Sequence, residues 1–241
     1  MSFSDAFDRF LFLLSVPTCV SCKTRLDYGQ KAICPKCSAE FEEIKTRNCS
    51  KCAQVLSECN CTPDYLKGHF VKGVVKCFRY DAREDHLASN SLIYSLKRDN
   101  RSDVLKKCTI ELATAIENSL ILDNSYVITN VPRRRSSIIK YGIDHSEILA
   151  KSIAKHFGVS YIKTLKSKAK AEQKSLSRDE RLKNTDFYLI TNVSLKDKNI
   201  IIVDDIITTG ASIAASATLI KALGPKNIYA ASLAIAYRDD T

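Results

Sequence analysis

Residues 200–212 read Ile-Ile-Ile-Val-Asp-Asp-Ile-Ile-Thr-Thr-Gly-Ala-Ser, and no other stretch constrains the fold as much. Four consecutive branched apolar residues suit a strand buried on both faces, as in a parallel sheet. Two carboxylates, Asp204 and Asp205, follow where such a strand emerges, and the small-residue turn Thr208–Ser212 comes next. Ile213, Ala217 and Ile220 then recur at helical spacing, and Gly224-Pro225 stops the helix. A strand, a hydroxyl-rich turn and a helix N-terminus make a phosphate cradle, because free backbone N–H groups and the positive end of the helix dipole both favour an anion. The neighbouring acids can accept hydrogen bonds from ribose hydroxyls or help hold a hydrated Mg²⁺. The competing use of the same block is an ordinary strand–loop–helix with two solvated acids.

The rest of the chain alternates strand-like and helical stretches, the pattern of an α/β domain. Phe70–Tyr80 carries strand-like alternation; Leu92, Ile93 and Leu96 share a helical face that ends near Lys97. Leu105–Ile116 repeats the helical pattern, Ser125–Val131 reads as a short strand closed by Pro132, and Ile148, Leu149 and Ile153 mark a helix stopped by Gly158. With 241 residues, the chain can hold one standard domain and a small one. No apolar run approaches the roughly 20 residues that span a bilayer, so membrane insertion is not expected. Phe3, Phe7, Phe10, Leu11 and Leu14 form one helical face interrupted by Asp5 and Asp8, an amphipathic packing helix rather than a leader, which points to a cytoplasmic protein.

Ten cysteines in such a protein read first as metal ligands. Eight of them fall in pairs: Cys19-x2-Cys22, Cys34-x2-Cys37, Cys49-x2-Cys52 and Cys59-x-Cys61. Each pair can set two thiolates on one side of a tight turn, and two turns complete a tetrahedral zinc site. The simplest assignment is two structural zincs, on Cys19/Cys22/Cys34/Cys37 and Cys49/Cys52/Cys59/Cys61. An interleaved pairing or a single filled site uses the same residues, and an iron–sulfur cluster is the competing cargo. Four thiolates close the zinc shell and leave no open position for substrate. Cys77 and Cys108 lie outside the pattern and read as small buried residues.

The net charge of +10 is concentrated: residues 131–183 carry 14 Lys and Arg against 5 Asp and Glu. That stretch begins with Val131-Pro132-Arg133-Arg134-Arg135 at a strand exit, where doubly wound folds bind ligands and guanidinium forks suit diphosphate oxygens. Further on, Lys163, Lys166, Lys168, Lys170 and Lys174 occupy a stretch poor in apolar residues, either a lid over a phosphorylated substrate or a solvated loop. Diphosphate and nucleic acid both remain open as the polyanion, but only Tyr141, Phe157 and Tyr161 interleave with the lysines, which gives little for base stacking.

The block at 200–212 resembles the phosphoribosyl-diphosphate (PRPP) signature of type I phosphoribosyltransferases. That resemblance implies Asp204 and Asp205 at the ribose 2- and 3-hydroxyls, with Thr208, Thr209, Gly210, Ala211 and Ser212 around the 5-phosphate. Several further motifs extend the likeness: the four cysteine pairs, Leu92-Ile93-x3-Leu96-Lys97, Val131-Pro132 with its arginines, and Gln173, Leu176, Arg181, Asn184 and Phe187. Together they resemble the ComF family over nearly the whole chain.

The resemblance implies an α/β chain: a type I phosphoribosyltransferase-like doubly wound parallel sheet (66–241) behind a small N-terminal helix and zinc ribbon (1–65). It implies PRPP contacts from Lys97, Arg133, Arg134 and Arg135, structural zinc, and Mg²⁺ accompanying PRPP. It also implies a role in DNA uptake and natural transformation, with single-stranded DNA and a helicase-like competence protein as candidate partners. Transfer would displace diphosphate from C1 of PRPP, with Asp204 and Asp205 offsetting positive charge on the sugar and the arginines offsetting charge on the leaving group. The alternative is a non-catalytic DNA-binding or helicase-docking adaptor on the same fold. One departure is local: Tyr141-Gly142-Ile143-Asp144-His145 stands where the family usually carries Arg-Gly-Phe-Asn-Gln.

Overall fold

The computed structural model describes residues 16–49, 52–59, 61–80, 83, 87–120, 122–133, 138–139, 142–168 and 187–236. Its elements in chain order are α1 (Pro35–Lys45), β1 (Val71–Tyr80), α2 (Ala88–Arg98), α3 (Ser102–Ser119), β2 (Tyr126–Asn130), α4 (His145–Phe157) and β3 (Ser160–Tyr161). They continue with β4 (Leu165–Ser167), β5 (Phe187–Leu189), β6 (Asn199–Ile207), α5 (Ala211–Lys221) and β7 (Asn227–Ala236). Expectations for the N-terminal helix face, Arg134, Arg135, Tyr141, Lys170, Lys174, Gln173, Leu176, Arg181 and Asn184 fall outside the described residues.

Five strands form one sheet in the order β1-β7-β6-β2-β3, and every neighbouring pair is parallel. β6 is central, and its period-two side chains feed two separate cores. Ile201 and Val203 pack with Ile128, Leu149, Ile153 and Ala231 on the face covered by α4. Ile200 and Ile202 pack with Ile213, Ala217 and Ile220 of α5 on the other. Burying a branched side chain contributes roughly 1.5–3 kcal/mol, whereas an exposed ion pair contributes about 0–1, so apolar burial decides where this strand lies. The chain passes from β2 outward to β3 through α4, then re-enters at β6 and proceeds the other way to β7 through α5. With right-handed crossovers this reversal puts the two helices on opposite faces and opens a crevice between the C-terminal ends of β2 and β6.

Two expectations are corrected here. β1 does not alternate: six consecutive residues, Gly73–Phe78, are buried, and Phe70 lies outside the strand. The lysine-rich stretch is not loop throughout: Lys163 lies between two strands, but Leu165–Ser167 is a strand. Lys166 pairs with Tyr188 in the antiparallel β4–β5 hairpin, Leu165 and Phe187 are buried, and Lys163 is bound to Glu147. Apolar anchors at the two ends of a long polar segment were enough to make a hairpin base. The N-terminal module packs into the same core as the sheet. Phe41 of α1 meets Phe78 edge-on at 5.4 Å. The first cysteine turn is tied to the start of α3 through Ala32 N–H to Asp103 (2.8 Å) and Arg101 to the Thr18 carbonyl (2.7 Å). None of the described helices is long and apolar enough to cross a membrane.

Candidate functional site

At the exit of β6 the sheet delivers Asp204 and Asp205, and the crevice brings cations to them. Asp205 is buried; its Oδ2 accepts from Arg133 Nη2 at 2.9 Å and its Oδ1 pairs with Lys97 Nζ at 3.2 Å. Arg133 comes from the end of β2 and Lys97 from the last turn of α2, so three separate elements meet on one carboxylate. Asp204 Oδ1 accepts from Ser146 Oγ (3.2 Å) and from the Asp205 N–H (2.9 Å). Asp204 keeps partial exposure over the residue as a whole. Desolvation of its carboxyl, and next the Asp205 charge, push its pKa up to about 7.

Arg133 is held from behind. Its Nη1 lies 3.1 Å from His145 Nδ1, and His145 Nε2 lies 3.3 Å from Asn100 Oδ1. A guanidinium only donates, so Nδ1 must be the acceptor and Nε2–H donates to Asn100. Burial, followed by the Arg133 charge, lowers the His145 pKa to about 4, so the imidazole stays neutral. Asp144 completes the frame as N-cap of α4: Oδ1 accepts from Glu147 N–H (3.1 Å) and Oδ2 from the Arg133 backbone N–H (3.0 Å). Asn100 and Ser146 were absent from the residues singled out in the sequence, and Asp144 and His145 stood out there only as a departure from the family pattern. Asp144-x2-Glu147 has the spacing of a capping box and was the one available signal.

The two helices facing the crevice begin differently. α4 starts under the carboxylate of Asp144, whereas α5 starts at Gly210, which has φ 69° and offers no side-chain cap. The dipole end of α5 is therefore the one open to an anion. Thr208, Thr209, Ala211 and Ser212 are exposed around it, with Ala211 N–H 3.4 Å from Thr209 Oγ1. The recess inside this loop, lined by Asp204 and Thr208–Ile213, measures about 30 Å³. A larger cavity of about 740 Å³ lies between the first cysteine turn, α1 and α2. Its charges are mixed (Lys23, Lys36 and Arg98 against Glu40 and Asp99), and it includes neither acid of β6. Of the site residues expected from sequence, the structure gathers Lys97, Arg133, Asp204, Asp205 and 208–212 at one end of the sheet.

The cysteines segregate into the two sequential groups, Cys19/Cys22/Cys34/Cys37 and Cys49/Cys52/Cys59/Cys61, with the sulfurs of each group within 4.8 Å of one another. The two turns repeat each other. Lys23 N–H bonds the Cys19 carbonyl and Ala53 N–H the Cys49 carbonyl, and both Lys23 (φ 63°) and Ala53 (φ 58°) are left-handed. The donor set fits a thiophilic divalent cation, and the second group carries independent support. The ammonium of Lys76, buried within β1, lies 3.1 Å from Cys59 Sγ and also bonds the carbonyls of Cys59 and Cys61. A buried ammonium needs a negative partner, and a metal-bound thiolate supplies one. Without a cation, burial pushes the Cys37 and Cys59 thiols up to about 12; a bound metal reverses that cost. Cys77 and Cys108 are buried away from both groups.

Residues 143–240 match the phosphoribosyl transferase domain family. Among solved structures the chain is similar to an adenine phosphoribosyltransferase from Thermoanaerobacter pseudethanolicus, at 18% identity over 57% of this chain and 83% of that one, TM-score 0.38. It is also similar to a purine phosphoribosyltransferase from Pyrococcus horikoshii, at 19% identity over 56% and 74%, TM-score 0.33. A third is the adenine phosphoribosyl transferase of Trypanosoma brucei in complex with AMP, pyrophosphate and ribose-5-phosphate, at 11% identity over 57% and 66%, TM-score 0.36. The comparison with curated proteins finds no match.

Proposed function

We propose that this chain is a ComF-type protein that binds PRPP with Mg²⁺ at the crevice between β2 and β6 and transfers its phosphoribosyl group. One observation carries the reading: an acid pair, two cations from distant elements and an uncapped helix N-terminus converge at the sheet's reversal point. In this reading Asp204 and Asp205 accept hydrogen bonds from the ribose hydroxyls, and 208–212 receives the 5-phosphate. Lys97 and Arg133, with Arg134 and Arg135, receive the diphosphate. Arg133 and Lys97 already neutralise Asp205, so an incoming diphosphate would draw both cations away and free that carboxylate for the ribose. The carboxylates offer the hard oxygens that suit Mg²⁺, which when bound would neutralise charge on the leaving diphosphate. Anchoring the 5-phosphate away from C1 orients the reacting carbon.

Zinc in both cysteine groups, the division at 65/66, a cytoplasmic setting and a part in DNA uptake complete the proposal. The last of these, with single-stranded DNA and a helicase-like protein as partners, is supported by the sequence motifs alone. Release of diphosphate from PRPP, followed across a panel of nitrogenous acceptors, tests the transfer step. Acceptor-dependent release that is lost in Asp204→Asn/Asp205→Asn supports it. Mg²⁺-dependent PRPP binding with no release for any acceptor would favour the non-catalytic alternative.

A further inference from the structure

The second cysteine group ends at Cys61, and the short 3-10 turn Asp64–Leu66 follows it before β1 begins. Leu66 is 0% exposed and is packed in the α5-side core with Ile207 and Ile213. Its neighbour Tyr65 keeps 41% exposure, with its Cδ2–Cε2 side lying against the loop glycine. A Cβ built on Gly210 would stand 2.4 Å from Tyr65 Cε2, 2.6 Å from Cδ2 and 3.0 Å from Leu66 Cδ2. Gly210 is thus required twice, by its φ of 69° and by the aromatic ring lying against it. The other described glycines with positive φ meet nothing within 4 Å.

The turn that carries Tyr65 is pinned at both ends. Thr62 Oγ1 donates to the Lys72 carbonyl (3.1 Å), and Lys76 bonds the carbonyls of Cys59 and Cys61, while Leu66 is fixed in the core.

We propose that Tyr65 is a positioning residue of the phosphate loop, supplied by the cysteine module, which holds Gly210 and the α5 N-terminus in the shape that receives a sugar 5-phosphate. The proposal rests on 208–212 being the phosphate cradle. It makes metal occupancy of the second cysteine group a determinant of phosphate affinity, because that group anchors the turn.

The test titrates the zinc-loaded full chain and its Tyr65→Ala and Tyr65→Phe variants with ribose 5-phosphate and, separately, with Mg²⁺-diphosphate. Tyr65→Ala should weaken ribose 5-phosphate by about tenfold, corresponding to about 1.4 kcal/mol, while diphosphate affinity stays within about twofold and Tyr65→Phe retains both. A residue that merely stabilised the fold would depress both ligands together, and unchanged ribose 5-phosphate affinity in Tyr65→Ala overturns the proposal. If the folded wild type binds neither ligand, the phosphate-cradle reading itself fails, and backbone hydrogen exchange decides the positioning role. Faster exchange at 209–214 in Tyr65→Ala, with β2 unchanged, supports the role; unchanged exchange there rejects it.

Discussion

The C-terminal ends of β6 and β2 face each other across one crevice but are built in opposite ways. The β6 end is contiguous: two acids, a glycine turn and a helix start come within residues 204–212. The β2 end is assembled from Lys97, Asn100, Arg133, Asp144, His145 and Ser146, joined by hydrogen bonds and ion pairs that cross between elements. A contiguous site can keep its shape from local backbone conformation. An assembled one depends on every element that contributes to it. The cysteine module bears on both ends: the first group ties to the α2–α3 junction through Arg101 and Asp103, and the second leads to Tyr65 over Gly210.

The largest expected effect separates those two ties. Structural zinc contributes on the order of 10 kcal/mol to small metal modules, so Cys37→Ser and Cys59→Ser should each lower bound zinc from two equivalents to one and reduce the Tm substantially. Zinc stoichiometry from a colorimetric chelator checks this. If loss of either cysteine releases all metal, the groups are not independent. At the β2 end, Arg133→Ala leaves buried Asp205 with Lys97 as its remaining cation among the described residues. In the proposed complex that guanidinium meets the diphosphate, and truncating one partner of a hydrogen-bonded charge pair across an interface costs about 2–5 kcal/mol, so diphosphate affinity should fall by about a hundredfold, read by calorimetry. An unchanged affinity would mean that the β6 end binds unaided.

A smaller change sharpens the same point. His145→Gln keeps an acceptor for Arg133 and a donor for Asn100, so diphosphate affinity should shift only a few-fold; His145→Ala should cost about 1–3 kcal/mol through loss of the acceptor. The imidazole titrates near 4, below its ordinary value. Its contribution to stability is therefore present above the unfolded pKa of about 6.5 and lost as pH falls toward 4, which acid unfolding of His145→Gln against wild type will show.

The smallest effect is a slope. Asp204 is raised to about 7. A raised carboxyl stabilises the fold below its unfolded pKa, and that contribution is lost as pH rises through 7. Ribose hydroxyls need the acceptor form, so PRPP affinity should increase between pH 6 and 8, by at most about tenfold per unit. Asp205→Asn removes the neighbouring charge and should move that midpoint down.

The contrast between the two ends also explains what could be read from sequence. Residues 200–212 placed a buried strand, a turn and a helix correctly because each signal is local, and helical periodicity did the same for α2, α3 and α4. The β2 network was invisible because Asn100 and His145 are 45 positions apart, and Ser146 and Asp204 are 58 apart. β3 spans two residues and carries no period to detect. β4 and β5 were hidden by the lysines between their single buried anchors, Leu165 and Phe187. Lys76 shows the same limit: a lysine reads as surface until the Cys59 sulfur and its carbonyl neighbours are brought beneath β1.

The most direct test of the central claim is calorimetric titration of the zinc-loaded chain with PRPP and Mg²⁺, repeated on Asp204→Asn/Asp205→Asn. The account predicts Mg²⁺-dependent binding by the wild type and at least about a hundredfold loss in the double variant, corresponding to about 2.7 kcal/mol or more. Equal binding by the two proteins, or no binding by a folded wild type, would contradict it.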